Sequence, residues 1–257
     1  KVKAKSGLNA GNYTGTITVT DENGKTYTAT VTLKVEPKQL TGLGIDLDST
    51  WVYKETKTPT LKGVESLTPD DYAITYSKRD NSENYGNKMP ILVGNYKATL
   101  SIKNPNYTAT EASVDFEIIP ITTEVKVKSY DETFTYDGLE HTKNAYDVLW
   151  ANNASPLTDK KLPNGDLVTA EITGKVRDVN DTDFENNTIG KITITNAEGV
   201  DVTSCYNNIQ KSAGKLTVTK KDSKITVTSD DANKAYDGDP LTNHNKTVTG
   251  ETVAGDE

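Results

Sequence analysis

The densest cluster of oxygen-bearing side chains lies in one polar segment near residue 180. Carboxylate and amide oxygens are the ligands that Ca²⁺ prefers in proteins. The segment lacks the glycine that an EF-hand loop needs at its sixth position, so a solvated acidic loop is the alternative. The sequence predicts no other cofactor. The calcium candidates are Asp178, Asn180, Asp181 and Asp183.

The two histidines do not form a recognisable catalytic arrangement. His141 and His244 lie in separate parts of the chain, and neither has a serine or cysteine partner in a known motif. A nucleophile–base triad is therefore not expected. Acids and lysines are scattered along alternating segments and do not converge on one stretch. The sequence predicts a non-catalytic protein.

One long polar segment, residues 139–189, is the best candidate for ligand binding. It carries Trp150 followed closely by two asparagines. Rigid β domains commonly recognise ligands through their loops, so a binding surface is expected in this segment. The alternative is that Trp150 fills the core beneath the segment. The candidate binding residues are Trp150, Asn152, Asn153 and Asp181.

The tripeptide Tyr136-Asp137-Gly138 returns one hundred positions later as Tyr236-Asp237-Gly238, within an ungapped match of residues 121–142 to residues 221–242. A weaker copy surrounds Tyr53. A tyrosine at a strand end, an aspartate that accepts turn amides and a glycine with positive φ form a structural turn. The alternative is that the tyrosines stack on sugar rings. The fixed place of the tripeptide in each repeat favours the structural role.

Composition predicts an all-β protein and excludes several partners. Only 33% of the 257 residues are hydrophobic, and threonine alternates with valine, isoleucine and tyrosine, which is typical of half-buried strands. A net charge of −8 argues against nucleic acid and anionic membrane surfaces. Cys205, the single cysteine, excludes an intramolecular disulfide. No stretch approaches the ~20 apolar residues of a membrane span, so no membrane insertion is expected within this sequence.

Recurring closing hairpins set the predicted domain boundaries. Gly11-Asn12-Tyr13 and Gly94-Asn95-Tyr96 mark equivalent points, each followed by alternating strands that end near a proline. We expect tandem Ig-like antiparallel β-sandwich repeats, with β-grasp-like repeats carrying one short helix as the alternative. A single helical turn is expected at Pro69, after Thr68. The predicted parts are the closing part of a truncated repeat (1–38), two complete repeats (39–120 and 121–220) and the opening part of a truncated repeat (221–257).

These motifs, in this order, resemble the tandem YDG and MBG repeats and the bacterial Ig-like repeats of bacterial cell-surface proteins. The resemblance rests on the strand before Tyr-Asp-Gly, on Gly94-Asn95-Tyr96 with Asn106-Tyr107-Thr108, and on the closing segment 214–219. It covers nearly the whole chain. The resemblance implies an extracellular adhesin-like protein of a Gram-positive-like bacterium, attached to the cell wall or secreted, and it implies no catalytic residues.

Three functions are compatible with this resemblance. The repeats form a stalk or spacer that also contributes to adhesion, they bind host glycans, mucins or other glycoproteins themselves, or they are accessory repeats of a large secreted carbohydrate-active enzyme. The first is our prediction, and the others are alternatives. In each case the neighbouring repeats of the same chain are the expected structural partners.

Overall fold

The computed structural model describes residues 5–181, 183–251 and 253. The all-β class is confirmed: the described residues form strands joined by turns, and no described helix reaches seven residues. Within the described residues, helical structure is limited to three single 3₁₀ turns. The first of them begins at Pro69, directly after Thr68, as expected. No helix in the described part is long and apolar enough to cross a membrane. The three turns are Pro69–Asp71, Thr158–Lys160 and Thr203–Cys205.

The chain divides into two compact units between Ile121 and Thr122. The expected subdivision into four repeat parts, with boundaries at 38, 120 and 220, stays a prediction. Residues 1–4, 252 and 254–257, which belong to the predicted parts 1–38 and 221–257, lie outside the described residues.

The described part of the first unit contains eleven strands. In chain order these are β1 (Gly11–Thr20), β2 (Thr26–Val35), β3 (Lys38–Gln39), β4 (Gly44–Asp46), β5 (Thr50–Val52), β6 (Thr60–Lys62), β7 (Tyr72–Lys78), β8 (Asn84–Gly86), β9 (Gly94–Ile102), β10 (Tyr107–Thr108) and β11 (Ala112–Ile119).

Strands β5, β11, β9, β7 and β8 lie side by side in one sheet, whose inner face is aromatic. Phe116 is fully buried, and its ring stacks on Trp51 with centroids 4.9 Å apart. Tyr76 meets the same ring edge-on, and Tyr96 stacks on it at 5.4 Å. Each such ring pair contributes about 0.5–1.5 kcal/mol beyond the area it buries. A few aromatic rings therefore stabilise a core that is poor in aliphatic residues.

The hairpin β1–β2 repeats the hairpin formed by β9 and β11. Gly11 pairs with Val35 as Gly94 pairs with Ile118, so both hairpins keep the same register. The tyrosine two positions after each glycine donates its hydroxyl to the carbonyl four residues earlier. This distance is 2.8 Å in both hairpins, from Tyr13 and from Tyr96. The recurring Gly-x-Tyr therefore marks one structural corner used twice.

The second unit contains nine strands within its described residues. They are β12 (Val125–Ser129), β13 (Glu132–Thr135), β14 (Tyr146–Trp150), β15 (Leu167–Ile172), β16 (Ile189–Thr195), β17 (Ile209–Ser212), β18 (Leu216–Thr219), β19 (Thr226–Ser229) and β20 (Lys246–Thr249).

In both units, strands early in the predicted repeats 39–120 and 121–220 pair in parallel with strands near their ends, which differs from a purely antiparallel arrangement. β5 pairs with β11, β12 with β17, and β13 with β18, all in parallel. Alternation of apolar residues specifies which face of a strand is buried but carries no information on strand direction. The amide of Tyr53 donates to the carbonyl of Ile119, and that of Tyr136 donates to Thr219, both at 2.9 Å. The two tyrosines therefore occupy the same position in their repeats.

The hairpin β19–β20 repeats the hairpin formed by β12 and β14, one hundred positions later. Val227 pairs with Val248 as Val127 pairs with Val148, so the register is identical. Val127 and Val148 are fully buried, whereas Val227 is 62% exposed. The local pairing is therefore the same, while the surroundings of the two hairpins differ.

Candidate functional site

The Tyr136-Asp137-Gly138 turn and the acidic loop lie against each other in the second unit. Arg177 Nε donates to the carbonyl oxygen of Gly138 at 3.1 Å. The backbones of His141 and Val176 exchange two hydrogen bonds, of 2.8 and 3.0 Å. Residues 136–141 and 175–186, without residue 182, thus form one surface, called here the turn–loop surface.

Asp137 holds the turn together. Its Oδ1 accepts a hydrogen bond from the amide of Leu139 at 2.9 Å and lies 2.8 Å from Nε2 of His141. The Leu139 amide is the main cause that lowers the pKa of Asp137 below its ordinary range. The imidazole ring of His141 also stacks on Phe134, with centroids 4.5 Å apart. These contacts give Asp137 and His141 a structural role in the turn.

The two Tyr-Asp-Gly turns share their backbone geometry but not the burial of their tyrosines. The carboxylate of Asp237 accepts the amide two residues ahead at 3.1 Å, as Asp137 does, and Gly238 and Gly138 have φ of 85° and 77°. Tyr136 is half-buried against a cluster that contains Leu216 and Val218 of β18. Tyr236 is 98% exposed. The local sequence therefore determines the geometry of the turn, whereas the closing strand β18 determines whether the tyrosine of the turn is buried.

One carboxylate of the acidic loop accepts hydrogen bonds from backbone amides of the same loop. Asp181 Oδ2 accepts from the amides of Arg177 and Asp178 at 3.0 and 2.9 Å, and the Asp178 amide is the main cause that lowers the pKa of Asp181. Asp178, Asn180 and Asp183 are all exposed. No three His, Cys, Asp or Glu side chains of the described residues are grouped to hold a metal. The weak calcium candidate stays a prediction.

Trp150, Asn152 and Asn153 lie at the end of β14. Trp150 is half-buried opposite Val125 of β12, so it neither fills the core completely nor stands free in a loop. Asn152 has φ of 58°, and the amide of Asn153 donates to the carbonyl of Trp150 at 3.0 Å. The two exposed asparagines therefore form a tight turn. Asp181 belongs instead to the turn–loop surface, and the role of all four in binding stays a prediction.

The turn–loop surface includes two exposed apolar side chains that the sequence did not single out. Phe184 is 80% exposed and Leu139 is 64% exposed. An open cavity of about 230 Å³ lies on the same surface, lined by residues that include Glu140, Lys175 and Asp183. A surface that carries both an exposed ring and charged donors and acceptors is a chemical setting in which a polar ligand with an apolar face can bind. The signal for Phe184 in the sequence was an aromatic residue inside a run of acids and amides.

A buried asparagine joins the opening and closing parts of the second unit. Asn187 is fully buried, and its Nδ2 donates to the carbonyls of Tyr130 and Lys143 at 2.8 and 3.1 Å. Its amide donates to Gly214, and its carbonyl accepts the hydroxyl of Ser129 at 2.5 Å. The backbone and the Nδ2 group of Asn187 are therefore paired as buried polar groups usually are, whereas its buried Oδ1 accepts no hydrogen bond from the described residues. The sequence did not indicate that Asn187 is buried, because an asparagine in a polar segment is expected to be exposed to solvent.

Comparison with known protein families found no family model that matches the chain. A search of curated proteins found no significant match either.

Proposed function

We propose that this chain is a non-catalytic repeat region of an extracellular bacterial surface protein, in which it acts as a stalk or spacer that resists tension. Its complete repeats are proposed to be Ig-like β-sandwich modules of the YDG and MBG type. The protein is proposed to be wall-attached or secreted, with a contribution to adhesion. The observation that carries this proposal is the parallel pairing of opening strands with closing strands in both proposed repeats.

Parallel terminal strands have a mechanical consequence. The chain enters a proposed repeat ahead of its opening strands and leaves it after its closing strands. Tension on the two ends therefore loads the parallel pairs β12–β17, β13–β18 and β5–β11 in shear, so that all the hydrogen bonds of a pair are strained together. In an antiparallel pair held at one end, the bonds would break one at a time. This geometry suits a module that transmits force.

Single-molecule force spectroscopy on the full chain tests the proposal. A disulfide between Thr133→Cys and Thr217→Cys, which face each other across β13 and β18, should lock the pair. The locked chain should lose the extension of the whole segment between the two new cysteines, which is most of the repeat. Reduction should restore the full extension. Cys205 is buried and is not expected to compete for the new bond.

A matched disulfide provides the control. Thr169→Cys and Thr193→Cys face each other across β15 and β16 and enclose a much shorter segment inside the repeat. This bond leaves the terminal strands free, so the force that unfolds the repeat should not change, and only the small enclosed segment should be missing from the extension. A wild-type repeat that extends without a resolved force peak would contradict the role in tension.

The alternative is a glycan- or mucin-binding module. It is favoured specifically by the turn–loop surface, which carries both the exposed ring of Phe184 and a charged cavity. Aromatic rings bind the apolar faces of sugars, while carboxylates and cations pair with the hydroxyl groups. The accessory-repeat alternative rests on the family resemblance alone.

A glycan array and a mucin pull-down with the full chain separate these functions. A binding module should retain glycan, and Phe184→Ala should reduce the signal at least tenfold if the turn–loop surface is responsible. Trp150→Ala tests the other candidate position in the same way. Repeating the binding measurement with a chelator tests whether calcium is required. Retention of glycan by both variants would place binding elsewhere, and no retention by the wild-type chain would leave the stalk.

A further inference from the structure

Strand β11 in the first unit is paired along the whole of one edge but only along part of the other. On one side, β9 pairs with it from Ala112 to Ile118, without a bulge. On the other side, β5 pairs only with Glu117–Ile119. Among the described residues, no strand pairs with the β5 side of Ala112–Asp115. This stretch of backbone, on the β5 side, is called here the open edge.

The hydrogen bonds of β11 identify the backbone groups that face the open edge. The amide of Glu117 donates to the carbonyl of Ser49 at 2.9 Å, and so points away from β9. Along a strand, backbone groups point alternately to one edge and to the other. The amides of Asp115 and Ser113, two and four positions earlier, therefore also point away from β9. Ser113 presents an amide and a carbonyl to the open edge.

An open cavity of about 560 Å³ lies beside this edge. It is lined by residues 110–113 and by the segment from Gln39 to Ile45. Gly42 in that segment has φ of 79°, and a Cβ added there would meet nothing within 4 Å. The segment itself is held in place, because a Cβ added at Gly63, after β6, would lie 2.7 Å from the carbonyl oxygen of Gly42. The cavity is therefore a preformed space beside unpaired strand backbone.

We propose that the open edge binds an extended, basic peptide segment of another protein, which adds to the sheet beside β11. In such strand addition, hydrogen bonds to the main chain provide affinity and the flanking side chains provide specificity. The amide and carbonyl of Ser113 would pair with the backbone of the peptide.

Charge defines the partner. Among the described residues that line the cavity, only Glu111 carries a charge, and its side chain is exposed. This carboxylate favours a lysine or arginine in the bound segment. The net charge of −8 opposes association with a second copy of the same chain, and charged side chains on an edge strand discourage pairing between like copies. The bound segment therefore belongs to a different, basic protein.

Fluorescence anisotropy with a labelled synthetic peptide of alternating lysine and valine tests this inference. The full chain should bind the peptide saturably. Ser113→Pro should weaken binding at least tenfold, because proline removes the amide that faces the open edge. The bonds from β11 to β9 do not use that amide, and edge strands tolerate proline. Ser113→Ala, the matched control, retains the amide and should bind as the wild-type chain does.

A second peptide makes the test independent of the folding of Ser113→Pro. The same sequence with every backbone amide N-methylated retains its charges and side chains but cannot donate to the sheet, so it should bind the wild-type chain at least tenfold more weakly. Glu111→Gln should weaken binding of the unmodified peptide severalfold. Equal binding of the two peptides overturns the inference. So does equal binding of the unmodified peptide by folded Ser113→Pro and the wild-type chain, or the lack of saturable binding by the wild-type chain.

Discussion

At the residue scale, carboxylates that accept turn hydrogen bonds organise the loops of this protein. Asp71, Asp137, Asp181, Asp201 and Asp237 all have a pKa below the ordinary value, and each accepts a backbone amide close in sequence. Such local bonds are the reason that aspartate is frequent in turns. Part of the negative charge of the chain therefore lies on aspartates that stabilise its turns.

Asp71 provides the pH prediction. Its carboxylate accepts from Asn104 Nδ2 at 2.5 Å and from the amide of Thr68 at 2.8 Å, and the Asn104 bond is the main cause that lowers the pKa of Asp71 from 3.8. Because the folded-state pKa is lowered, this stabilisation is fully present above about pH 3.8 and is lost as the pH falls through the folded-state value. Asp71→Asn should therefore weaken the pH dependence of the melting temperature of the first unit below about pH 4.

Asp70→Asn is the matched control for Asp71→Asn, since Asp70 is the exposed neighbour in the same 3₁₀ turn. Thermal melts at several pH values, followed by circular dichroism, measure both variants. Equal slopes for Asp71→Asn and the wild-type chain would contradict the assigned role of the Asp71 carboxylate.

At the element scale, the closing strands approach the opening strands too closely for a side chain at one point. A Cβ added at Gly214 would lie 2.5 Å from the carbonyl oxygen of Tyr130 and 2.7 Å from that of Ser129. Both contacts are with backbone, which cannot turn away. Gly214 therefore permits the passage from β17 to β18 beside the passage from β12 to β13.

We expect Gly214→Ala to lower the free energy of unfolding of the second unit by about 1–3 kcal/mol, because the backbone must shift to relieve the overlap. Gly190→Ala is the control, since its Cβ would meet only side chains, at 3.4 Å. Urea unfolding, followed by the fluorescence of Trp150, measures both. Equal free energies of unfolding for the two variants would contradict this prediction, because they would show that the backbone accommodates a side chain at position 214 without loss of stability.

At the scale of the whole molecule, the complete repeats and the end hairpins differ in how well they are covered. The cores around Phe116 and around Val127 are fully buried, whereas β1–β2 and β19–β20 are two-stranded and largely exposed. An isolated two-stranded hairpin is marginally stable in water. The two end hairpins are therefore expected to be less stable than the strands around Phe116 and Val127.

Limited proteolysis of dilute protein should remove residues after about 220 and before about 38 first, leaving the two complete repeats. Exposed, marginally stable hairpins open more often than buried strands, which makes their backbone accessible. Mass spectrometry of the products identifies the cut sites. Cleavage between 122 and 220 that is as early as cleavage of the ends would contradict this prediction.

The sequence by itself determined the features that depend on neighbouring residues. Alternating apolar residues predicted strands and the all-β class, Thr68 and Pro69 predicted a single helical turn, and the Tyr-Asp-Gly repeat indicated a turn that forms at both positions. These features follow from side-chain periodicity and from backbone preferences, which are local.

Tertiary structure decided what depends on distant partners. Only the fold brings Arg177 into hydrogen-bonding contact with Gly138 and buries Asn187 between the opening and closing strands. Only the fold also decides that opening and closing strands pair in parallel. The contrast between Tyr136 and Tyr236 gives the physical reason. The two residues share a tripeptide and a turn, but only Tyr136 has β18 beside it, and a side chain is buried by its neighbours in space and not by its own sequence.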